Sequence, residues 1–169
     1  MNSEMEKLST LYKEHRNEEN AGPMSKYMKG HFSFLGIKSR LRKELEKQFF
    51  KETEILKQPF NQDFVIGLWE KDEREYQYTA ITYIGKFIKK LPKDAIQFLE
   101  RLITTKSWWD SVDSIAPLAG ELAKRYPELV EERINQWSVD DNFWLRRASI
   151  LFQLKYKNQT NEALLYDYI

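Results

Sequence analysis

Three isoleucines, Ile81, Ile115 and Ile150, occupy matching places in three successive helical patterns, 34 and 35 residues apart. No other feature limits the fold as strongly. A period of this length, carried by two helices each time, belongs to stacked helical arrays. A single helix pair cannot bury its own apolar face and has to lay it against the next pair. The pairs are expected at 63–71 with 74–90, at 92–104 with 107–119, and at 127–137 with 142–157. Pro92 and Pro127 each stand where the first helix of a pair should begin, a position that needs no amide hydrogen. With six glycines, five prolines and no sustained period-two alternation, the chain reads as all-α, a right-handed superhelix of antiparallel helix pairs with one concave face.

The segments around this array read differently. Residues 1–60 are expected to hold three helices: one with the stripe Leu8, Leu11 and Tyr12 ending near Glu19, a short one from Pro23 to Lys29 stopped at Gly30, and a long one capped by Ser39 that carries Leu41, Leu45, Phe49 and Ile55. The loop His31-Phe-Ser-Phe-Leu-Gly36 between the last two is apolar. Lys38, Arg40, Arg42 and Lys43 crowd the start of the third helix, where cations oppose the helix dipole. Residues 160–169 resemble a first helix lacking its partner. Leu164, Leu165, Tyr168 and Ile169 would then leave apolar surface open where a capping repeat belongs, or pair two copies. The chain is accordingly expected to be a fragment or a naturally short form, and the oligomeric state stays open. At 169 residues it is expected to form a single domain.

Composition removes several function classes. Without cysteine there is no disulfide, thiolate zinc site or cysteine nucleophile, and the two histidines, His15 and His31, have no counterpart for metal ligation. The 27 basic and 26 acidic residues nearly cancel, so affinity for a polyanion has to come from local clusters. No apolar run approaches the length of a membrane span, and a cytoplasmic protein is expected.

The stretch with chemistry in it is 106–115, Lys-Ser-Trp-Trp-Asp-Ser-Val-Asp-Ser-Ile. On a helix, Trp109 and Asp113 are one turn apart and share a face. An indole beside a carboxylate suits neither a core nor a solvated surface, but it suits a ligand both flat and cationic. Each residue taken alone has an ordinary reading. One of Trp108 and Trp109 packs in the core, and Trp108 is expected to be that one. Asp110 and Asp113 could be solvated or cap a helix, and Arg146 or Arg147 could pair with Asp140 or Asp141. Tyr27 fits core and surface equally, while Trp69, Trp137 and Trp144 fit packing between repeats.

Four runs together carry more information: Tyr27-Met-Lys-Gly-His-Phe-Ser-Phe-Leu-Gly-Ile37, Leu68-Trp-Glu-Lys-Asp-Glu-Arg-Glu-Tyr-Gln77, Thr105-Lys-Ser-Trp-Trp-Asp-Ser-Val-Asp113 and Asp141-Asn-Phe-Trp-Leu-Arg-Arg-Ala148. In order and over essentially the whole chain, they resemble the AlkD-like DNA alkylation repair glycosylases, which are built of HEAT-like repeats. The resemblance implies excision of cationic N3- and N7-alkylated purines from duplex DNA in base excision repair. It implies hydrolysis of the N-glycosidic bond, with no metal, no cofactor and no lyase lysine. Carried over by motif, Asp113 and Trp109 are the expected catalytic residues, and Arg147, Tyr27 and Lys38 the expected DNA contacts. Lys38 stands where such chains often have a neutral polar residue, which suggests added backbone affinity. Full-length relatives usually continue for another repeat, which supplies a further aromatic at the lesion and more basic surface.

These residue types suit that reaction. As the glycosidic bond lengthens, positive charge moves onto the sugar, and a fixed carboxylate at Asp113 could stabilise it. The indole face of Trp109 attracts a cation by roughly 0.5 to 2 kcal/mol. Arg147 could hold a phosphate in a bidentate fork. The competing expectation is a noncatalytic or truncated HEAT-like module that binds DNA or protein on its concave face.

Overall fold

The computed structural model describes residues 3–169, and these contain ten α-helices, several short 3₁₀ turns and no β-strand. The chain is all-α, as its periodicity predicts. It divides into two compact units, Met1–Ile84 and Gly85–Ile169.

In the first unit, α1 (Ser3–Glu14) packs on α3 (Ser39–Thr53) and α4 (Gln62–Glu70), and α5 (Arg74–Phe87) follows. Leu8 and Tyr12 are fully buried, so the apolar stripe of α1 is the one expected. The helix stops at Glu14 rather than near Glu19, because the Asn17 side chain accepts from the Asn20 amide and starts a new helix, α2 (Glu18–Tyr27). Pro23 therefore lies inside α2 and not at its start. The stop at Gly30 is real, with Lys29 and Gly30 both in the left-handed region at φ of 58° and 74°. Ser39 is already helical. Lys38 takes the cap position with no side-chain bond to the helix, so α3 begins with none of its amides satisfied by a capping side chain.

Two buried carboxylates organise this unit. Glu75 is inaccessible to solvent and accepts the amides of Leu35 (3.0 Å), Gly36 (2.9 Å) and Ile37 (3.1 Å), which gives the apolar loop before α3 its backbone partners. Glu46 accepts from Arg42 and from the Thr79 hydroxyl, whose oxygen also meets the Tyr12 hydroxyl. Burial raises both carboxyl groups above the ordinary glutamate range. Gln77 closes the end of α4 by donating to the carbonyls of Leu68, Trp69 and Lys71.

In the second unit, α6 (Ala95–Ile103) packs against α7 (Trp109–Arg125), and a π-helical turn (Val130–Ile134) continues into α8 (Asn135–Ser138), which packs against α9 (Phe143–Leu151). Pro92 and Pro127 precede the first helix of each pair by a short turn. Ile115 is fully buried but Ile150 is only half-buried; Leu145, Ala148 and Ser149 form the buried face of α9. The helix α9 starts 34 residues after α7, whereas the two isoleucines are 35 apart, and one residue is about 100° of helical turn. The last pair also ends early. After Leu151 the chain turns, and the Gln153 side chain both accepts from the Asn161 amide and donates to its carbonyl. This lays α10 (Glu162–Tyr168) back on α9, leaving Leu164, Leu165 and Tyr168 half-buried and Ile169 exposed.

Candidate functional site

The helices α7 and α9 run side by side in the same direction. Near their starts the rings of Trp108 and Trp144 meet at 5.6 Å; further along, Asp113 bonds Arg147; further still, the Tyr156 hydroxyl beyond α9 donates to the Gly120 carbonyl of α7. Backbone contact at Gly120 is close enough that a Cβ there would stand 2.0 Å from the Phe152 carbonyl oxygen. A side chain on the α7 face at this point would force the helices apart, and glycine lets them lie in register.

That register brings three of the expected residues together. Arg147 donates from Nε to Asp113 Oδ1 at 2.6 Å and from Nη2 to Oδ2 at 2.7 Å, a parallel two-bond fork. Both side chains are about one-third accessible, 31% for Asp113 and 37% for Arg147. The bond to Asp113 raises the Arg147 guanidinium above its already high value. Trp109, one turn before Asp113 on the same helix, is 37% exposed. Trp108 is half-buried rather than fully so, with its ring against that of Trp144.

The arginine assignments come out differently from the ordinary expectation. Neither arginine is bonded to the carboxylate of Asp140 or Asp141. Arg146 donates to the Asp140 backbone carbonyl, and the Asp140 carboxylate accepts from the Asn142 amide. Asn142 in turn caps α9, its side-chain oxygen accepting from Trp144 and Leu145. The start of α9 is thus held rigidly, and Arg147 is aimed at α7.

Tyr27 and Lys38 belong to the first unit. Tyr27 is the last residue of α2 and is 69% exposed, so its surface reading holds. Lys38 is exposed immediately before α3, at the end of the loop that Glu75 holds. Among the described residues no cluster of three or more histidine, aspartate or glutamate side chains is placed to hold a metal ion, and no helix is long and apolar enough to cross a membrane.

Two residues of consequence were not legible as such. Glu75 looks like one charge in an acidic run, and only its full burial reveals a loop anchor. Phe143 precedes Arg147 by one turn, is 57% exposed and stands first in α9, as Trp109 does in α7. The equal spacing of Trp109 to Asp113 and of Phe143 to Arg147 was available as a signal.

The chain is thus all-helical, with a forked acid–arginine pair joining α7 and α9 and an exposed indole one helical turn before its carboxylate. Residues 8–169 match the family of DNA alkylation repair enzymes, and the chain belongs to that family. The solved structure of a predicted DNA alkylation repair enzyme from Enterococcus faecalis is similar, with a TM-score of 0.81 and 31% identity over 91% of this chain and 72% of that one. No curated protein matches.

Proposed function

We propose that the chain is a hydrolytic DNA glycosylase that removes N3- and N7-alkylated purines bearing a positive charge, the first step of base excision repair. The observation that carries this reading is the Asp113 carboxylate, held at both oxygens by Arg147, partly open to solvent, and one helical turn from the exposed Trp109.

An alkylated purine cation leaves with the electron pair of the C1′–N bond and becomes neutral without taking up a proton, so no general acid is required. Positive charge builds on the deoxyribose as that bond breaks. A carboxylate already fixed in orientation stabilises that charge without having to reorganise. Water then adds to C1′, and its proton passes to the carboxylate or to solvent. Trp109 supplies an aromatic face for the cationic base. Arg147 orients the carboxylate through its Nε–Nη2 edge. Its Nη1 edge, on the other side of the guanidinium, is the one suited to a phosphate oxygen, which divides between two edges the role expected of the whole fork. Tyr27 and Lys38 are proposed as further DNA contacts, Lys38 by sequence-independent attraction to phosphate.

The test is release of 7-methylguanine and 3-methyladenine from methylated duplex DNA by the parent chain and by Asp113→Asn. Loss of one preorganised electrostatic group should lower the single-turnover rate by about 10²- to 10³-fold. No release by the folded parent, or equal release by both proteins, sinks the proposal.

A further inference from the structure

Phe143 leaves more than half of a large apolar ring open to solvent. It is the first residue of α9, 57% exposed, with the Trp144 ring nearly perpendicular to its own at 5.1 Å and the Arg146 guanidinium 6.0 Å from its ring centre. A large apolar ring at a first helical position does nothing for the helix, whose cap is already complete through Asn142. Its location is specific, however. Trp109 and Phe143 are the first residues of two parallel neighbouring helices, Asp113 and Arg147 are the fifth, and the fifth residues are bonded to each other. The two exposed rings therefore flank the same end of the acid–arginine pair. At the same helix starts the Trp108 and Trp144 rings meet at 5.6 Å, and the Phe143 ring stands nearly perpendicular to that of Trp144 at 5.1 Å. Aromatic contact thus passes from α9, through Phe143 and Trp144, to Trp108 at the start of α7.

We propose that Phe143 is a substrate-contacting residue, the second aromatic wall of the site, which with Trp109 receives the cationic nucleotide at the approach to Asp113. The inference rests on the glycosylase reading for the identity of that nucleotide. Aromatic faces attract cations and accept flat bases, and both rings are on rigid, capped or packed helix starts, so little ordering is needed on binding. Phe143 acts on recognition of the lesion nucleotide and not on general DNA affinity, because an uncharged ring adds nothing to phosphate neutralisation.

The experiment measures binding by fluorescence anisotropy to two duplexes identical except for one position, which in one of them carries a pyrrolidine abasic nucleotide, a stable cation in place of the oxocarbenium sugar. The preference of the parent for the cationic duplex is compared with that of Phe143→Ala and Phe143→Tyr. We expect Phe143→Ala to lose about three- to tenfold of that preference, the range of one aromatic contact, with affinity for the plain duplex unchanged and Phe143→Tyr close to the parent. An unaltered preference in Phe143→Ala, an equal loss on both duplexes, or a parent with no preference overturns the assignment. Base release is scored separately. A parent that prefers the cationic duplex through Phe143 yet releases no alkylpurine keeps this inference and defeats the glycosylase reading.

Discussion

The fork between Asp113 and Arg147 can be weighed by a double-mutant cycle of Asp113→Asn, Arg147→Met and the two combined. Two charge-assisted hydrogen bonds of 2.6 and 2.7 Å would each be worth about 1.5 to 3 kcal/mol if sheltered from water. Here 31% and 37% of the two side chains are accessible, so screening takes away a large part of that value. A coupling of about 1 to 2 kcal/mol is expected, above the ~0.2 to 1 kcal/mol of a surface pair and below the ~3 to 5 kcal/mol seen when a buried pair is broken. Urea unfolding of the four proteins gives the coupling directly, provided the slopes agree. The same proteins separate packing from chemistry: Arg147→Met should lower the single-turnover rate at saturating DNA, not only the affinity, if the arginine orients the carboxylate. Arg147→Lys should not restore that rate, since an ammonium cannot make two parallel bonds to one carboxylate. A coupling under about 0.3 kcal/mol would refute the energetic reasoning. An Arg147→Met variant that loses affinity alone would refute the positioning role.

Two further outcomes concern the first unit. In Glu75→Gln the amide oxygen can still take the Gly36 and Ile37 amides that now share Oε1, but the NH₂ faces the Leu35 amide, so about 1 to 3 kcal/mol of stability should be lost, and Glu75→Ala should cost more because three buried amides lose their acceptor; equal urea midpoints for parent and Glu75→Ala would contradict this. Glu46 is raised above 4.5 in the folded chain, by burial first, so the folded state holds its proton to higher pH than the unfolded chain does. Its contribution is therefore fully present below about pH 4.5 and is lost as pH rises through the folded value. The melting temperature of the parent minus that of Glu46→Gln should fall as pH rises from 4.5 to the folded value and level off above it, and a flat or rising difference across that interval would show that the sign is wrong.

Much of the helical order could be read along the chain because its causes are local. Asn61, Asn142 and Asn161 each cap the helix that follows, and a side chain two or three residues from its amide partner needs nothing from the rest of the fold. The end of α1 escaped the reading for the same kind of reason in reverse. Residues 15–19 remain periodic enough to continue the helix, and what interrupts them is the Asn17 cap together with the hydrogen bond that the Asn17 backbone N–H donates to the Leu35 carbonyl, 18 residues away. The early end of α9 likewise depends on Gln153 reaching Asn161.

The candidate site divides along the same line. The sequence by itself determined that Trp109 and Asp113 share a face, since 3.6 residues per turn makes an i, i+4 pair adjacent on any helix. It determined equally that Phe143 and Arg147 do. Only the tertiary structure decided that the fifth residue of α7 meets the fifth of α9 and that the two exposed rings flank one end of that pair. That outcome depends on the close approach at Gly120 and on the Trp108–Trp144 contact, which set the sliding of one helix along the other. Spacing within a helix follows from backbone geometry, whereas register between helices follows from which side chains leave room.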